Sequence, residues 1–167
     1  MAIKKDFLIY VVEDNKMYNH LVTAFLKKKD FTNVKSFYTG TACLKALKNG
    51  EFPDVVIQDY FLEEMNGIDV LRRVKKISPK TEFIFLTGNE SMEVAVNSIK
   101  FGAYDYVIKD NVALEKVLDK IQKISKLFKL LQRNRQIRKS MVLFLVGLLV
   151  IVIFSILYFV VDIFGVN

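Results

Sequence analysis

Residues 53–71 read PDVVIQDYFLEEMNGIDVL. Pro53-Asp54 opens an apolar run, Val55 to Asp59, that stops on a carboxylate. A short run rich in β-branched residues and bounded by turn residues reads as a buried strand. Met65-Asn66-Gly67 is turn chemistry, and a helix follows to Ile77 before Ser78-Pro79 interrupts it. The stretch is therefore one β-α unit with an acid at the strand's carboxyl end.

The same unit recurs on both sides. Phe7 to Val12 (FLIYVV) reads as a strand, and Lys16 to Lys29 as a helix with Val22, Phe25 and Leu26 on one face. Val34 to Tyr38 is a second strand, and Thr39-Gly40-Thr41 starts a helix that runs to Lys48. Phe83 to Leu86 is a fourth strand, Ser91 to Phe101 a helix closed by Gly102, and Tyr104 to Ile108 a fifth strand. The last helix begins near Asn111. Five apolar runs alternating with helices predict a parallel sheet covered on both faces, a doubly wound α/β fold. The length before the last helix suits one domain.

In open parallel sheets, chemistry collects outside the carboxyl ends of the strands. Strand 1 ends in Glu13-Asp14, strand 3 in Asp59, strand 4 in Thr87 and strand 5 in Lys109. Clustered carboxylates resist ionising unless a cation neutralises them. A hard, oxygen-seeking ion such as Mg²⁺ suits that need. Lysine adds a point charge for an anionic group, and threonine adds a hydroxyl. The set reads as a site that places phosphate on a carboxylate. Each residue alone has a plainer reading: a helix N-terminus, a loop cap or a solvent-facing lysine.

VVEDN (11–15), PDVVIQDYFLEEMNGIDVL (53–71), FLTG (85–88) and GAYDYVIKD (102–110) resemble the receiver domain of two-component response regulators. The resemblance covers about residues 5–125 and implies a flavodoxin-like sheet in the order 2-1-3-4-5. It implies that Asp59 is the phosphoacceptor. Asp14 would bind Mg²⁺ with Asp59 and the backbone carbonyl of Phe61, Glu13 directly or through water. Lys109 would contact the phosphoryl oxygens, Thr87 would move toward them, and Tyr106 would be the switch aromatic behind that threonine. Gly67 matches a family position where the loop needs a flexible backbone. By the same resemblance, Phe61 and Asn89 occupy variable rim positions that influence dephosphorylation in the family.

The chain departs from the family pattern in two places. Asp110 stands where a proline, often cis, usually follows the lysine. A cis bond there is costly without proline, and Asp110 is suited instead to cap the last helix. Glu63-Glu64 also replaces a common loop proline.

The single cysteine, Cys43, excludes an internal disulfide and reads as a small core residue. One histidine, His20, and one cysteine cannot build a zinc site. No glycine-rich loop follows strand 1, against nucleotide binding. Aspartyl-phosphate phosphohydrolases carry a second carboxylate two residues after the nucleophile, and Phe61 fills that position here.

The carboxyl-terminal part has a different character. Ser140 to Val161 is 22 residues without a charge. At about 1.5 Å per residue it suffices to cross a bilayer core as a helix. A buried core helix is the other reading of such a run. The chain carries 25 Lys+Arg against 18 Asp+Glu, a net of +7. Residues 1–115 balance, and the excess lies at Lys116, Lys120, Lys123, Lys126, Lys129, Arg133, Arg135, Arg138 and Lys139. That placement argues against a nucleic-acid surface on the domain. It puts the receiver part in the cytoplasm and residues 162–167 outside, by the positive-inside rule, and equips the collar for anionic headgroups. A solvated helix face is the plainer reading of the same charges.

Leu114, Val117, Ile121, Ile124, Phe128 and Leu131 keep a 3-4 spacing. It fits a short coiled coil joining two copies through residues 114–131. It equally fits packing on the sheet followed by an amphipathic stretch at the lipid surface.

The expected organisation is a receiver domain (1–125), a basic juxtamembrane helix (126–139), a transmembrane helix (140–161) and a short outer tail (162–167). The expected function is that of a single-pass, membrane-anchored response regulator at the bacterial cytoplasmic membrane. It would take phosphate from a histidine kinase or phosphotransfer protein with Mg²⁺, and answer through a protein contact, a change of oligomer or phosphate relay. It would not be a conventional enzyme. A receiver-fold scaffold that anchors a partner without cycling is the alternative.

Overall fold

The runs IYVV (9–12) and VVIQ (55–58) are buried at every residue, so helices must cover these strands on both sides. The computed structural model describes residues 7–88 and 92–165, with the side chains at 92 and 161–164 left aside. Its elements alternate as β1 (Ile9–Val12), α1 (Lys16–Lys28), β2 (Val34–Phe37), α2 (Gly40–Lys48), β3 (Val55–Gln58), α3 (Gly67–Ile77), β4 (Glu82–Thr87), α4 (Met92–Lys100), β5 (Asp105–Ile108) and α5 (Ala113–Phe164). The strands form one parallel sheet in the order β2-β1-β3-β4-β5. This is the doubly wound architecture expected.

The register sets Phe37, Val12, Gln58, Phe85 and Tyr106 in one row across the sheet. Tyr10, Val12, Val56, Phe83 and Phe85 pack there with Cys43, Leu44 and Leu47 of α2 and Val70, Leu71 and Val74 of α3. The alternate strand residues Ile9, Val11, Val55, Ile57, Ile84 and Leu86 are buried outside that cluster, as are Val22 and Leu26 of α1. Burial also pushes the Cys43 thiol up to about 12, which fits an inert core residue.

Helix ends follow local chemistry. Asn15, Thr39 and Asn66 cap α1, α2 and α3 with their side chains. Gly102 ends α4 at φ +97°. Gly67 corrects an expectation. A Cβ there would stand 2.5 Å from Gln58 Nε2 and 2.8 Å from the Asp59 carbonyl oxygen. The position needs a missing side chain rather than a flexible backbone.

The chain divides into two compact units, Met1–Ser125 and Lys126–Asn167. Within the first, Val117, Ile121 and Ile124 of α5 are buried. A coiled coil through residues 114–131 would need those side chains on the surface. The 3-4 stripe is used for packing inside this unit instead, and Phe128 and Leu131 alone of it lie beyond. Within the second unit, residues 141–160 form an apolar helical segment. An 18-residue window there has mean hydropathy 3.1, with none of it buried. A core helix would be covered; this one is not.

Candidate functional site

Parallel pairing brings the carboxyl ends of β1, β3, β4 and β5 to one rim. Glu13 and Asp14 follow β1, Asp59 follows β3, Thr87 ends β4 and Lys109 follows β5. Backbone hydrogen bonds hold these positions. The N–H of Asp59 donates to Val12 O at 3.0 Å, that of Glu13 to Phe37 O at 3.0 Å, and that of Lys109 to Thr87 O at 2.8 Å. The first turn of α1 is tied to the same rim. Asn19 Nδ2 donates to the backbone oxygens of Glu13 and Phe37, at 3.0 and 2.9 Å.

Lys109 Nζ lies between two carboxylates, 2.6 Å from Asp59 Oδ2 and 2.7 Å from Glu13 Oε2. Glu13 is 3% exposed and Asp59 9%. Asp59 Oδ1 accepts from the Phe61 N–H at 3.3 Å, and Asp14 Oδ2 from the Glu63 N–H at 3.2 Å. The β3–α3 loop thus rests on the acids. It closes through Gly67 N–H donating to Tyr60 O at 2.9 Å.

The electrostatics follow from burial and crowding. Burial raises the Glu13 carboxyl above its ordinary range; Lys109 opposes this, and the charges of Asp59 and Asp14 add to it. Burial works against the Lys109 ammonium, but Asp59 and Glu13 more than offset it, so its pKa is raised.

Oxygen atoms of Glu13, Asp14 and Asp59 lie within 4.8 Å of one another, the one such acidic group among the described residues. Glu13 Oε1 is buried without a hydrogen-bond partner. An all-oxygen donor set with one unused buried oxygen fits a hard divalent cation.

Thr87 is buried at 1% exposure, and Tyr106 is half-buried against the core cluster. Phe61 is 54% exposed, with its ring edge-on to Tyr60 at 4.9 Å. Asn89 lies outside the described residues. The Lys109–Asp110 peptide is trans. Asp110 Oδ1 accepts from the Val112 N–H at 3.0 Å, and Lys116 pairs with Oδ2 at 2.7 Å. Asp110 thus closes the turn just ahead of α5, which begins at Ala113, and is not the N-cap that its side chain suggested.

Two residues near the site gave no signal in the sequence. Tyr18, in the first turn of α1, has its ring centroid 4.5 Å from Lys109 Nζ. Gln58, next to Asp59, is 1% exposed with both amide atoms unpartnered.

Residues 9–122 match the family described as response regulator receiver domain. Among curated proteins, the chain is 33% identical over 114 residues to the transcriptional regulatory protein ZraR of Salmonella typhimurium, covering 67% of this chain and 25% of that one. It is 26% identical over 132 residues to the C4-dicarboxylate transport transcriptional regulatory protein DctD of Rhizobium meliloti, covering 79% and 28%. The chain therefore spans about a quarter of the length of these relatives. Among solved structures, a response regulator receiver domain from Clostridium thermocellum superposes with a TM-score of 0.66 at 30% identity, covering 74% of this chain and 97% of that one. The beryllofluoride-activated DrrB receiver domain gives 0.64 at 29%, covering 72% and 97%.

Proposed function

The chain belongs to the response regulator receiver domain family, and on that premise we propose that it is a membrane-anchored phosphoacceptor switched through Asp59. The observation that carries this is Lys109 Nζ held between Asp59 and Glu13, beside a third carboxylate, at the carboxyl rim of the sheet.

The donor is a phosphohistidine of a histidine kinase or phosphotransfer protein. An Asp59 carboxylate oxygen attacks phosphorus; the new O–P bond forms as the N–P bond breaks, and the imidazole leaves with the bonding pair. Lys109 is placed to exchange its carboxylate contacts for the phosphoryl oxygens and to neutralise their charge. Glu13, Asp14, Asp59 and the Phe61 carbonyl would hold Mg²⁺, which supplies further charge neutralisation for the transferring group. Thr87 then donates its hydroxyl to a phosphoryl oxygen, and Tyr106 turns inward behind it. The result is a reshaped surface around β4, α4 and β5 that changes a protein contact.

Residues 140–161 serve as a single transmembrane helix, and 126–139 as a basic collar at anionic headgroups. The uncovered apolar segment 141–160 supports this part of the reading. The receiver domain (1–125) faces the cytoplasm and residues 162–167 the far side. Tethering raises the local concentration of the domain near membrane-bound partners. Dimerisation through residues 114–131 has no comparable support, since Val117, Ile121 and Ile124 are already buried.

Incubation with acetyl phosphate and Mg²⁺, followed by a phosphate-affinity gel, tests the acceptor. A retarded band from wild type and none from Asp59→Asn is expected. Equal retardation of both, or of neither, rejects it. Alkaline carbonate extraction of membranes tests the anchor. The full chain should stay in the pellet and a chain truncated after residue 139 should not.

A further inference from the structure

Lys109 and a cation in the acidic cluster would draw on the same two carboxylates. Its Nζ holds Glu13 Oε2 and Asp59 Oδ2, and both carboxylates belong to the group that would hold a cation. A divalent ion held by those carboxylates draws on their charge, and the pairing of the ammonium weakens on both sides at once. The ammonium stays in a half-buried place, where an unpaired charge is costly. One contact does not depend on the carboxylates. The Tyr18 ring faces Nζ at 4.5 Å, within the range of a cation–π interaction.

Tyr18 is held there by its own helix. Asn15 Oδ1 accepts from the Tyr18 N–H at 3.0 Å, so the cap of α1 fixes the first turn. Asn19, one residue on, ties the helix to Glu13 and Phe37. The ring is therefore held from the end of β1, beside Glu13, and not from β5, which leads to the lysine.

We propose that Tyr18 is a positioning residue for Lys109: its ring retains the ammonium at the rim while the carboxylates are engaged with a cation and before phosphoryl oxygens arrive. This rests on the cation-assisted phosphoacceptor reading above. The ring matters more to the cation-loaded state than to the cation-free state, because only in the former do the carboxylates share their charge with an ion. Removing the ring therefore weakens cation binding, although Tyr18 is not itself a ligand.

The experiment is an NMR-monitored Mg²⁺ titration of the 167-residue chain in detergent micelles. It compares wild type, Tyr18→Phe, Tyr18→Leu, Lys109→Met and the Tyr18→Leu/Lys109→Met pair. Tyr18→Leu should weaken Mg²⁺ binding about three- to tenfold, and Tyr18→Phe should stay within about twofold of wild type. In the Lys109→Met background, losing the ring should change nothing. Wild-type affinity in Tyr18→Leu, or an equal loss with and without Lys109, overturns the proposal. Should Tyr18→Leu fail to fold, pentafluorophenylalanine at position 18 keeps the shape and inverts the ring's quadrupole. It should bind Mg²⁺ more weakly than Tyr18→Phe, and equal binding overturns the proposal. A wild type that shows no Mg²⁺ response removes the cation reading itself, and the role of Tyr18 with it.

Discussion

Gly67 presents its Cα directly to the side-chain amide of Gln58: a Cβ added there would lie 2.5 Å from Nε2. The Asp59 carbonyl oxygen and a ring carbon of Phe85 close the other sides at 2.8 Å. Helix α3 can reach the end of β3 only because its first residue has no side chain.

Gly67→Ala should therefore destabilise the domain by about 1–3 kcal/mol, the usual cost of overpacking. Gly50, where no atom would meet a Cβ but φ is +85°, is the comparison. There an alanine is strained by backbone alone, costing about 1 kcal/mol. Urea unfolding of both variants checks the ranking.

Gln58 carries a buried amide with neither atom bonded. An unsatisfied buried polar group costs about 1–3 kcal/mol. Gln58→Met, close in volume, should raise the urea midpoint without changing the slope. A lowered midpoint would mean that the amide has a partner in solution.

Cys43 is fully buried and its thiol is pushed up to about 12. Native protein at pH 8 should react with a disulfide reagent at least about a hundredfold more slowly than urea-unfolded protein, because attack needs an exposed thiolate. Fast native labelling would show that α2 opens readily.

Glu13 gives a pH dependence of definite sign. Its folded-state carboxyl lies above the ordinary value of 4.5, chiefly through burial. The folded state therefore holds this proton more tightly than the unfolded state. Its contribution to stability is complete below pH 4.5 and is lost as pH rises through the folded value. Glu13→Gln should flatten that decline. Thermal unfolding of both forms from pH 4 to 8 without divalent cations measures it.

Mg²⁺ should raise the melting temperature, since a ligand held by the folded state alone stabilises it, by about 1.4 kcal/mol at ten times Kd. Asp14→Asn should remove most of that rise. An undiminished rise would place the cation elsewhere.

The strand count, order and rim were legible because they rest on robust signals. Buried parallel strands leave unbroken apolar runs, and their carboxyl ends expose the acids, Thr87 and Lys109 to one side. Boundaries drifted by a residue or two. Phe7 and Leu8 continue the apolar run but precede the ladder, which begins at Ile9. The 3-4 stripe of α5 was ambiguous because one spacing serves sheet packing and helix pairing alike. Tyr18 was silent because an aromatic in a first helical turn looks like any core residue. The amide of Gln58 was visible, but its lack of a partner is a property of three dimensions. Gly67 was found by resemblance, and the reason for it appears only in the contact with Gln58.

The candidate site draws on the ends of β1, β3, β4 and β5, with Glu13 and Lys109 near opposite ends of the receiver sequence. No early fragment of the domain contains a working version of it. Three acids without their lysine would repel one another until the fifth strand docked. On the proposed phosphoacceptor reading, competence to take phosphate would be a certificate of completed assembly, and a half-folded chain would stay mute to a phosphodonor.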